Sequence, residues 1–263
     1  TDTLKKYPES EAVLNLIKKG GEEGVFQIQF HGREHLNVNR WLTALQSGDQ
    51  RFMDAFEEKM FTVASGSSTS GRRDYLDAFG RAYEHEFESE ASILKSGLNI
   101  FRNTWGFTPL SFIAPCYVWH PDIETVLYDE GIRYIQGTHV QRIPAEGLEL
   151  KIKKKYHWQG KKNNSGLKSI VRNVMFEQAE AKYAESLIDE AMNQIQTAFR
   201  FKKPAVISSH RVNYMGRLNP QNQEKSLKLL DRLLKSIVQK YPDVLFMSSD
   251  ELGLLMDGKL CVE

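Results

Sequence analysis

The order of helical and extended segments predicts an α/β fold with a mainly parallel sheet, and a barrel is favoured over a doubly wound sheet. Amphipathic helical patterns alternate with short apolar runs along most of the 263 residues, and such alternation is typical of parallel sheets. Polar residues follow several of the apolar runs, where barrel enzymes carry their chemistry. No Gly-x-Gly-x-x-Gly turn or phosphate loop is present, which disfavours a Rossmann fold. We expect one domain over residues 1–263.

The elements can be assigned in order along the chain. Residues 9–19 place apolar side chains on one helical face, and Gly20-Gly21 is expected to end that helix. Residues 25–30 alternate apolar and polar side chains, as a strand does. Asn37 or Asn39 is a candidate N-cap for the next helix, which contains Trp41. Further helices are predicted over residues 51–61, 75–103, 123–130, 177–199, 223–240 and 249–256, and further strands over residues 110–114, 133–136, 148–158, 205–208 and 244–247.

Composition excludes several classes of protein. The chain has 35 Lys+Arg and 34 Asp+Glu, a net charge of +1, whereas nucleic-acid and membrane-surface binders usually carry a basic excess. No apolar run approaches a bilayer span and no signal peptide stands at residue 1. We therefore expect a cytoplasmic protein without nucleic-acid or membrane partners. Cys116 and Cys261 give no disulfide framework, and Cys116 is expected in the core. Residues 151–155 and 161–166 are predicted to form a basic, mobile excursion.

The first candidate site follows the strand at residues 25–30. His31 and His35 are four residues apart, so their rings face the same way if the intervening turn is helical. Imidazole suits zinc and similar divalent metals, and Gly32 permits a tight backbone path. Arg33 and Glu34 are candidate substrate contacts. The alternative is a pair of histidines that make structural hydrogen bonds.

A second candidate site follows the strand at residues 110–114. Pro115 favours a turn and removes a backbone donor. The backbone N–H groups of Cys116 and Tyr117 would then be free to face an anion. Tyr117 and Trp119 are candidate flat surfaces for a sugar ring. The alternative is a buried aromatic cluster.

A third candidate site follows the strand at residues 205–208. His210 is followed by Arg211 and Asn213, a setting that suits a general acid or base. A weaker set runs from Arg172 to Glu177 and combines a cation, an amide and a carboxylate. A solvated helix cap is the alternative for that set. We include Arg172, Arg211 and Asn213 among the candidate substrate contacts.

Taken in order, these three motifs resemble the polysaccharide deacetylase family of carbohydrate esterases. The resemblance implies a distorted (β/α)₇ barrel that removes acetyl groups from glycans or amino sugars. It implies that His31 and His35 bind the metal, that the Tyr117 backbone N–H helps to form the oxyanion hole, and that His210 is the general acid. Residues 30–38, followed by Arg40-Trp41, also match a string typical of a bacterial subgroup of deacetylase-like proteins.

The chain departs from the family pattern at three points. Ala114 replaces the arginine of the Arg-Pro-Pro-Tyr motif, and Ser208 replaces the leucine of Leu-x-His. The strand-end Asp pair, which gives the family its base and third metal ligand, is absent before His31. We therefore expect the chain to lack the first barrel strand, either as an N-terminally truncated fragment or as a protein that has lost catalysis.

Three functions follow from these observations. The leading hypothesis is a metal-dependent hydrolase, with zinc as the favoured divalent metal, that deacetylates a glycan or amino sugar. The alternative is a non-catalytic glycan-binding protein on the same barrel, which the missing carboxylates and Ala114 favour. A metal-dependent hydrolase of a glycosidic or amide bond rests on fold analogy alone.

Overall fold

The computed structural model describes residues 9–61, 75–81, 84–144, 152–178, 184–217 and 219–261. The described helices are α1 (Ser10–Glu22), α2 (Val38–Gln46), α3 (Gln50–Glu57), α4 (Phe87–Trp105), α5 (Asp122–Asp129), α6 (Ala184–Arg200), α7 (Pro220–Lys240) and α8 (Ser249–Met256). The described strands are β1 (Ser111–Ile113), β2 (Tyr134–Gly137), β3 (Val140–Pro144), β4 (Ile152–Tyr156), β5 (Lys168–Val171), β6 (Val174–Met175) and β7 (Ile207–Ser208). The predicted α/β class is therefore confirmed at the level of a mixed α/β fold.

Most of the strand pairing is parallel, as the alternation of elements predicts. Strands β1, β2 and β5 form one parallel sheet in that order, and β6 pairs with β7 in the same sense. A bridge between Phe30 and Phe112 adds the preceding segment beside β1. Strands β3 and β4 form an antiparallel hairpin. Within the described ranges, these small sheets do not close into a barrel.

The main core packs aromatic and aliphatic side chains between the sheet and helices α4 and α5. Phe30, Phe79 and Phe112 are almost fully buried, with Phe112 5.6 Å from Phe30 and 5.7 Å from Phe79 between ring centroids. Burying each phenyl ring contributes roughly 1.5–3 kcal/mol to folding. Because Phe30 immediately precedes His31, this packing fixes the backbone from which the first candidate site begins.

Several predicted boundaries are wrong, for identifiable reasons. The first helix continues through Gly20 to Glu22, because Gly20 is used for close packing: a Cβ there would lie 2.6 Å from the Phe26 ring. Residues 75–81 are not helical, because the Asn37 side chain donates to the carbonyls of Asp77 and Gly80 at 3.1 Å and holds that segment in turns. Helix α4 consequently begins at residue 87.

Other differences concern extended and helical segments farther along the chain. Residues 152–156 form β4, which agrees with the strand predicted within residues 148–158 and not with the excursion predicted over residues 151–155; residue 151 lies outside the described ranges. The strands predicted at residues 25–30 and 244–247 do not form among the described residues, apart from the single bridge from Phe30 to Phe112. Helix α6 begins at residue 184, because Glu177 lies in a non-helical segment where its carboxylate binds His210. No described helix has the length and apolar character required to cross a bilayer.

Candidate active site at the strand ends

Three of the sequence-predicted sites come together at one edge of the sheet. Burial lowers the pKa of His31 below its usual value, and the hydrogen bond to the Ile113 carbonyl raises it by less. The nearby charges of His35, Arg172 and His210 lower that pKa further. The carboxyl ends of parallel strands meet at a common edge of the sheet. Charges from distant parts of the chain therefore lie near His31 and lower its pKa.

The two histidines form a close pair. Their ring centroids are 5.2 Å apart with an interplanar angle of 65°. Nδ1 of His31 donates to the carbonyl oxygen of Ile113 at 2.8 Å, which directs Nε2 away from the sheet. Gly97 of α4 lets the loop approach, since a Cβ there would lie 3.0 Å from the backbone nitrogen of Arg33. The helix surface therefore positions the loop that carries both imidazoles.

The turn after β1 has an unusual backbone. Cys116 and Tyr117 both lie in the left-handed region, with φ of 54° and 56°, a conformation that disfavours residues with a Cβ. The Tyr117 N–H donates to the Ala114 carbonyl at 3.1 Å. The expectation of a free Tyr117 N–H for an oxyanion is therefore wrong, because the turn itself uses that donor. The expectation of a core Cys116 is also wrong, because its side chain is exposed.

Arg172 connects two of the three sites. Its Nη1 donates to the Tyr117 hydroxyl at 3.3 Å and to the Ser208 hydroxyl at 3.4 Å. Its backbone N–H donates to the carbonyl of Gly137 at 2.8 Å. The guanidinium thus lies between the ends of β1, β5 and β7 and places a permanent positive charge near His31.

His210 is oriented by a carboxylate that the sequence reasoning kept out of the leading candidates. Glu177 Oε1 accepts from His210 Nδ1 at 2.7 Å, and Glu177 Oε2 accepts from the His210 backbone N–H at 3.2 Å. The Asn213 side chain donates to the same carboxylate at 2.8 Å. This arrangement leaves His210 Nε2 as the exposed nitrogen of a histidine–carboxylate pair. Glu177 could have been identified from its position two residues after the short strand β6, because functional side chains often follow strand ends.

The remaining candidates lie in different settings. Trp119 is almost fully buried and its indole N–H donates to Glu124, so the prediction that it contacts a sugar ring is wrong. Asn213 is also fully buried and supports Glu177 instead of facing a substrate. Arg33 and Glu34 pair with each other, with Nη2 and Oε1 2.6 Å apart. Arg211 is exposed beside His210.

The histidine pair has part of what a metal site needs. Metal ligation requires neutral imidazole, and the lowered pKa of His31 together with its Nδ1 hydrogen bond favours the form with a free Nε2. Catalytic zinc usually takes three protein ligands. Among the described residues, no group of three His, Cys, Asp or Glu side chains could hold a metal ion. His31 and His35 therefore fit as two ligands, and the described chain does not supply a third beside them.

A cleft of about 820 Å³ leads towards the same edge of the sheet. Arg172 and Gln136 line its inner part, and residues 25–29 and 246–249 line its two walls. At one end the walls are joined by the Gln27 side chain, which contacts Asp250 at 3.0 Å and Ser248 at 3.1 Å. Arg172 lines this cleft, whereas His31, His35, Tyr117 and His210 do not.

Comparisons with known proteins give a distant structural likeness. No family model matches the sequence, and no curated protein does. Among solved structures, a chain described as "putative polysaccharide deacetylase from Mycobacterium smegmatis" aligns with a TM-score of 0.41 and 13% sequence identity. The alignment covers 65% of this chain and 57% of that one, so this chain spans little more than half of that protein's length.

Proposed function

We propose that the protein is a hydrolase that removes acetyl groups from a glycan or amino sugar, with a divalent metal, zinc by preference, bound by His31 and His35. The observation that carries this proposal is that the strand ends converge. The His31 and His35 rings are 5.2 Å apart, and Arg172 is hydrogen-bonded to Tyr117 after β1 and to Ser208 of β7. Two of the motifs behind the deacetylase resemblance, the one after β1 and the one at β7, are therefore joined through Arg172, and the charge of Arg172 also lowers the pKa of His31 in the remaining motif. The proposal includes a distorted (β/α)₇ barrel, supported by parallel pairing from Phe30 through β1 and β2 to β5.

Each residue of the proposed site has a separate role in the reaction. His31 and His35 would hold the metal, which would polarise the acetyl carbonyl and activate a water for attack. Arg172 adds positive charge beside the place where the carbonyl oxygen becomes negative. His210 donates a proton from Nε2 to the departing amine or alkoxide as the bond to the acetyl carbon breaks. Glu177 holds the His210 ring in the orientation that this transfer requires.

A glycan-binding protein without catalysis is the second candidate. Deacetylation by this route needs a base for the attacking water, and the Glu177 carboxylate already binds His210. No described carboxylate joins the histidine pair to make a metal site. A protein of this kind would bind an acetylated sugar at the strand ends and release no acetate.

Metal content and acetate release test the proposal together. The full-length protein and the variant H31A/H35A are equilibrated with zinc, dialysed and analysed for bound metal, then assayed with acetylated chito-oligosaccharides and acetylated xylan. We expect about one zinc per chain and acetate release in the wild type, with both lost in the variant and both kept in H85A. Equal zinc content in the wild type and H31A/H35A would refute the metal site. Binding of acetylated sugar without acetate release would favour the second candidate.

A further inference from the structure

The outer face of the β3–β4 hairpin combines two cations with two aromatic rings. In the antiparallel register, Arg142 lies opposite Lys154 and Val140 lies opposite Tyr156. Side chains two apart along a strand share a face, so Lys154 and Tyr156 are on the same side. Trp158 lies two residues after Tyr156, beyond the end of β4, and its side chain is exposed. We call Arg142, Lys154, Tyr156 and Trp158 the aromatic–basic face.

The two aromatic rings of this face are exposed but held in place. Tyr156 is 57% exposed and Trp158 is 59% exposed. The imidazole of His139 packs between them, 5.4 Å from the Tyr156 ring and 4.7 Å from the Trp158 ring. His139 is fixed in turn by hydrogen bonds in both directions with the His157 backbone, at 2.8 and 2.9 Å. Rings that are ordered before binding lose little conformational entropy when a ligand stacks on them.

The two cations of the face lack acidic partners within the described part of the chain. Arg142 and Lys154 are exposed, and neither forms an ion pair there. Like charges directly opposite on neighbouring strands destabilise a sheet, and an anion bound between them removes that penalty. On the other face of the hairpin, Lys155 does have a partner, Glu124, at 3.6 Å. The outer face therefore carries two adjacent cations that form no ion pair within the described residues.

The hairpin is attached to the candidate active site. The backbone N–H of Trp119 donates to the backbone carbonyl of Arg142 at 3.3 Å, and Val118 forms a parallel β-bridge with Arg142. Strand β3 therefore lies beside the segment that follows the Tyr117 turn. Strand β2, which precedes the hairpin, ends at Gly137, whose carbonyl accepts the Arg172 N–H. A chain molecule bound on the hairpin would have one end near the strand-end residues.

We infer that the aromatic–basic face binds an anionic glycan, a polysaccharide with carboxylate groups on its sugars, and that this is the substrate class of the proposed deacetylase. The inference rests on the proposed function for its second half only. Arg142 and Lys154 bind the sugar carboxylates, and Tyr156 and Trp158 stack against the pyranose rings. A bare anion would explain the cations but would leave the two preordered rings without a role.

A glycan suits this face better than a nucleic acid does. Single-stranded nucleic acids are held along a continuous basic groove with successive base-stacking platforms. Here the two rings pack about one imidazole, and the net charge of the whole chain is only +1. Nucleic-acid binding nevertheless provides a useful competing outcome for the test.

The test is calorimetric titration of the full-length protein with oligogalacturonate and with the same oligomer after complete methyl esterification. The variants are W158A and R142S/K154S. The controls are F201A, which removes an exposed aromatic ring elsewhere, and K18S/K225S, which removes two exposed charges elsewhere. No metal and no acetylated substrate are needed, so the result does not depend on deacetylase activity.

We expect oligogalacturonate to bind and the esterified oligomer to bind at least tenfold more weakly, since esterification removes the charge. We expect W158A and R142S/K154S each to weaken binding at least tenfold, and both controls to bind within twofold of the wild type. Absence of binding, or an equal loss in the controls, would overturn the inference while leaving the zinc and acetate assays unaffected. Tighter binding of oligo-uridylate, lost in the same two variants, would overturn it in favour of nucleic acid.

Discussion

Acidification from pH 7 to pH 4 is expected to destabilise the fold through one buried side chain, His157. Nε2 of this ring hydrogen-bonds Gln141 at 2.7 Å and Nδ1 hydrogen-bonds Ser169 at 3.1 Å. Burial, assisted by the charge of Lys155, lowers the pKa of His157 from 6.5 to about 4. The folded state therefore resists protonation over a pH range in which the unfolded chain accepts a proton.

The sign and size of the effect follow from linkage between protonation and folding. Because the folded pKa of His157 lies below the unfolded value, its stabilising contribution is complete above about pH 6.5 and is lost as the pH falls towards 4. A difference of about 2.5 pKa units corresponds to about 3 kcal/mol. Such a loss is a large part of the ~5–15 kcal/mol that stabilises a typical domain.

Urea denaturation at pH 7, 6, 5 and 4 measures this contribution. The wild type is compared with H157Q, which keeps hydrogen-bonding capacity but cannot titrate, and with H85A as a control for an exposed histidine. We expect the free energy of unfolding of H157Q to be lower at pH 7 but to fall by about 3 kcal/mol less between pH 7 and pH 4. If the free energy of unfolding fell by the same amount between pH 7 and pH 4 in the wild type and in H157Q, the reasoning would be refuted.

Three further predictions concern the site. G97A should lower the free energy of unfolding by about 1–3 kcal/mol relative to G21A, because a Cβ meets backbone at 3.0 Å at Gly97 but only a side chain at 3.6 Å at Gly21; equal urea midpoints would contradict this. R172M should raise the pKa of His31 towards its usual value, since a nearby cation is removed, and an unchanged NMR titration of the His31 ring would contradict it. E177Q should reduce kcat of the proposed deacetylase about tenfold with little change in KM. The reason is the loss of the charge-assisted hydrogen bond to the partly exposed His210 ring, worth about 1.5 kcal/mol. A change in KM alone would indicate that Glu177 contacts the substrate instead.

Local patterns in the sequence predicted the elements that depend on short-range forces. Helix α8 occupies the predicted residues 249–256, because Ser248 and Glu251 form a capping box that the sequence displays. Asn37 caps α2 as one of the two expected residues. The start of α4 could not be predicted, because the Asn37 side chain holds residues 75–81 in turns across about 40 positions of sequence.

The site was partly predictable for a similar reason. The sequence offered His31, His35, Arg172 and His210 as separate candidates after strands. In the structure the His31 and His35 rings are 5.2 Å apart, and Arg172 and His210 are near enough for their charges to lower the pKa of His31, whereas the roles of these residues stay predictions. The burial of Trp119 agrees with the alternative that the sequence left open, a buried aromatic cluster, but its partner Glu124 is a side chain that the aromatic pattern does not indicate. The sequence predicted a helix that begins at Glu177, whereas α6 begins at residue 184. This prediction hid the role of Glu177 as the carboxylate partner of His210.

The turn at Cys116 and Tyr117 has a consequence for directed evolution of this protein. Each left-handed residue with a Cβ costs roughly 1–2 kcal/mol, so the turn stores an amount comparable to a buried methyl deletion. Cys116→Gly removes half of that cost without disturbing the core, because the cysteine side chain is exposed. A laboratory selection for heat resistance alone should therefore recover C116G early. The same substitution makes the backbone before the Tyr117–Arg172 hydrogen bond more flexible, so heat-resistant variants should lose the fixed geometry of the candidate site.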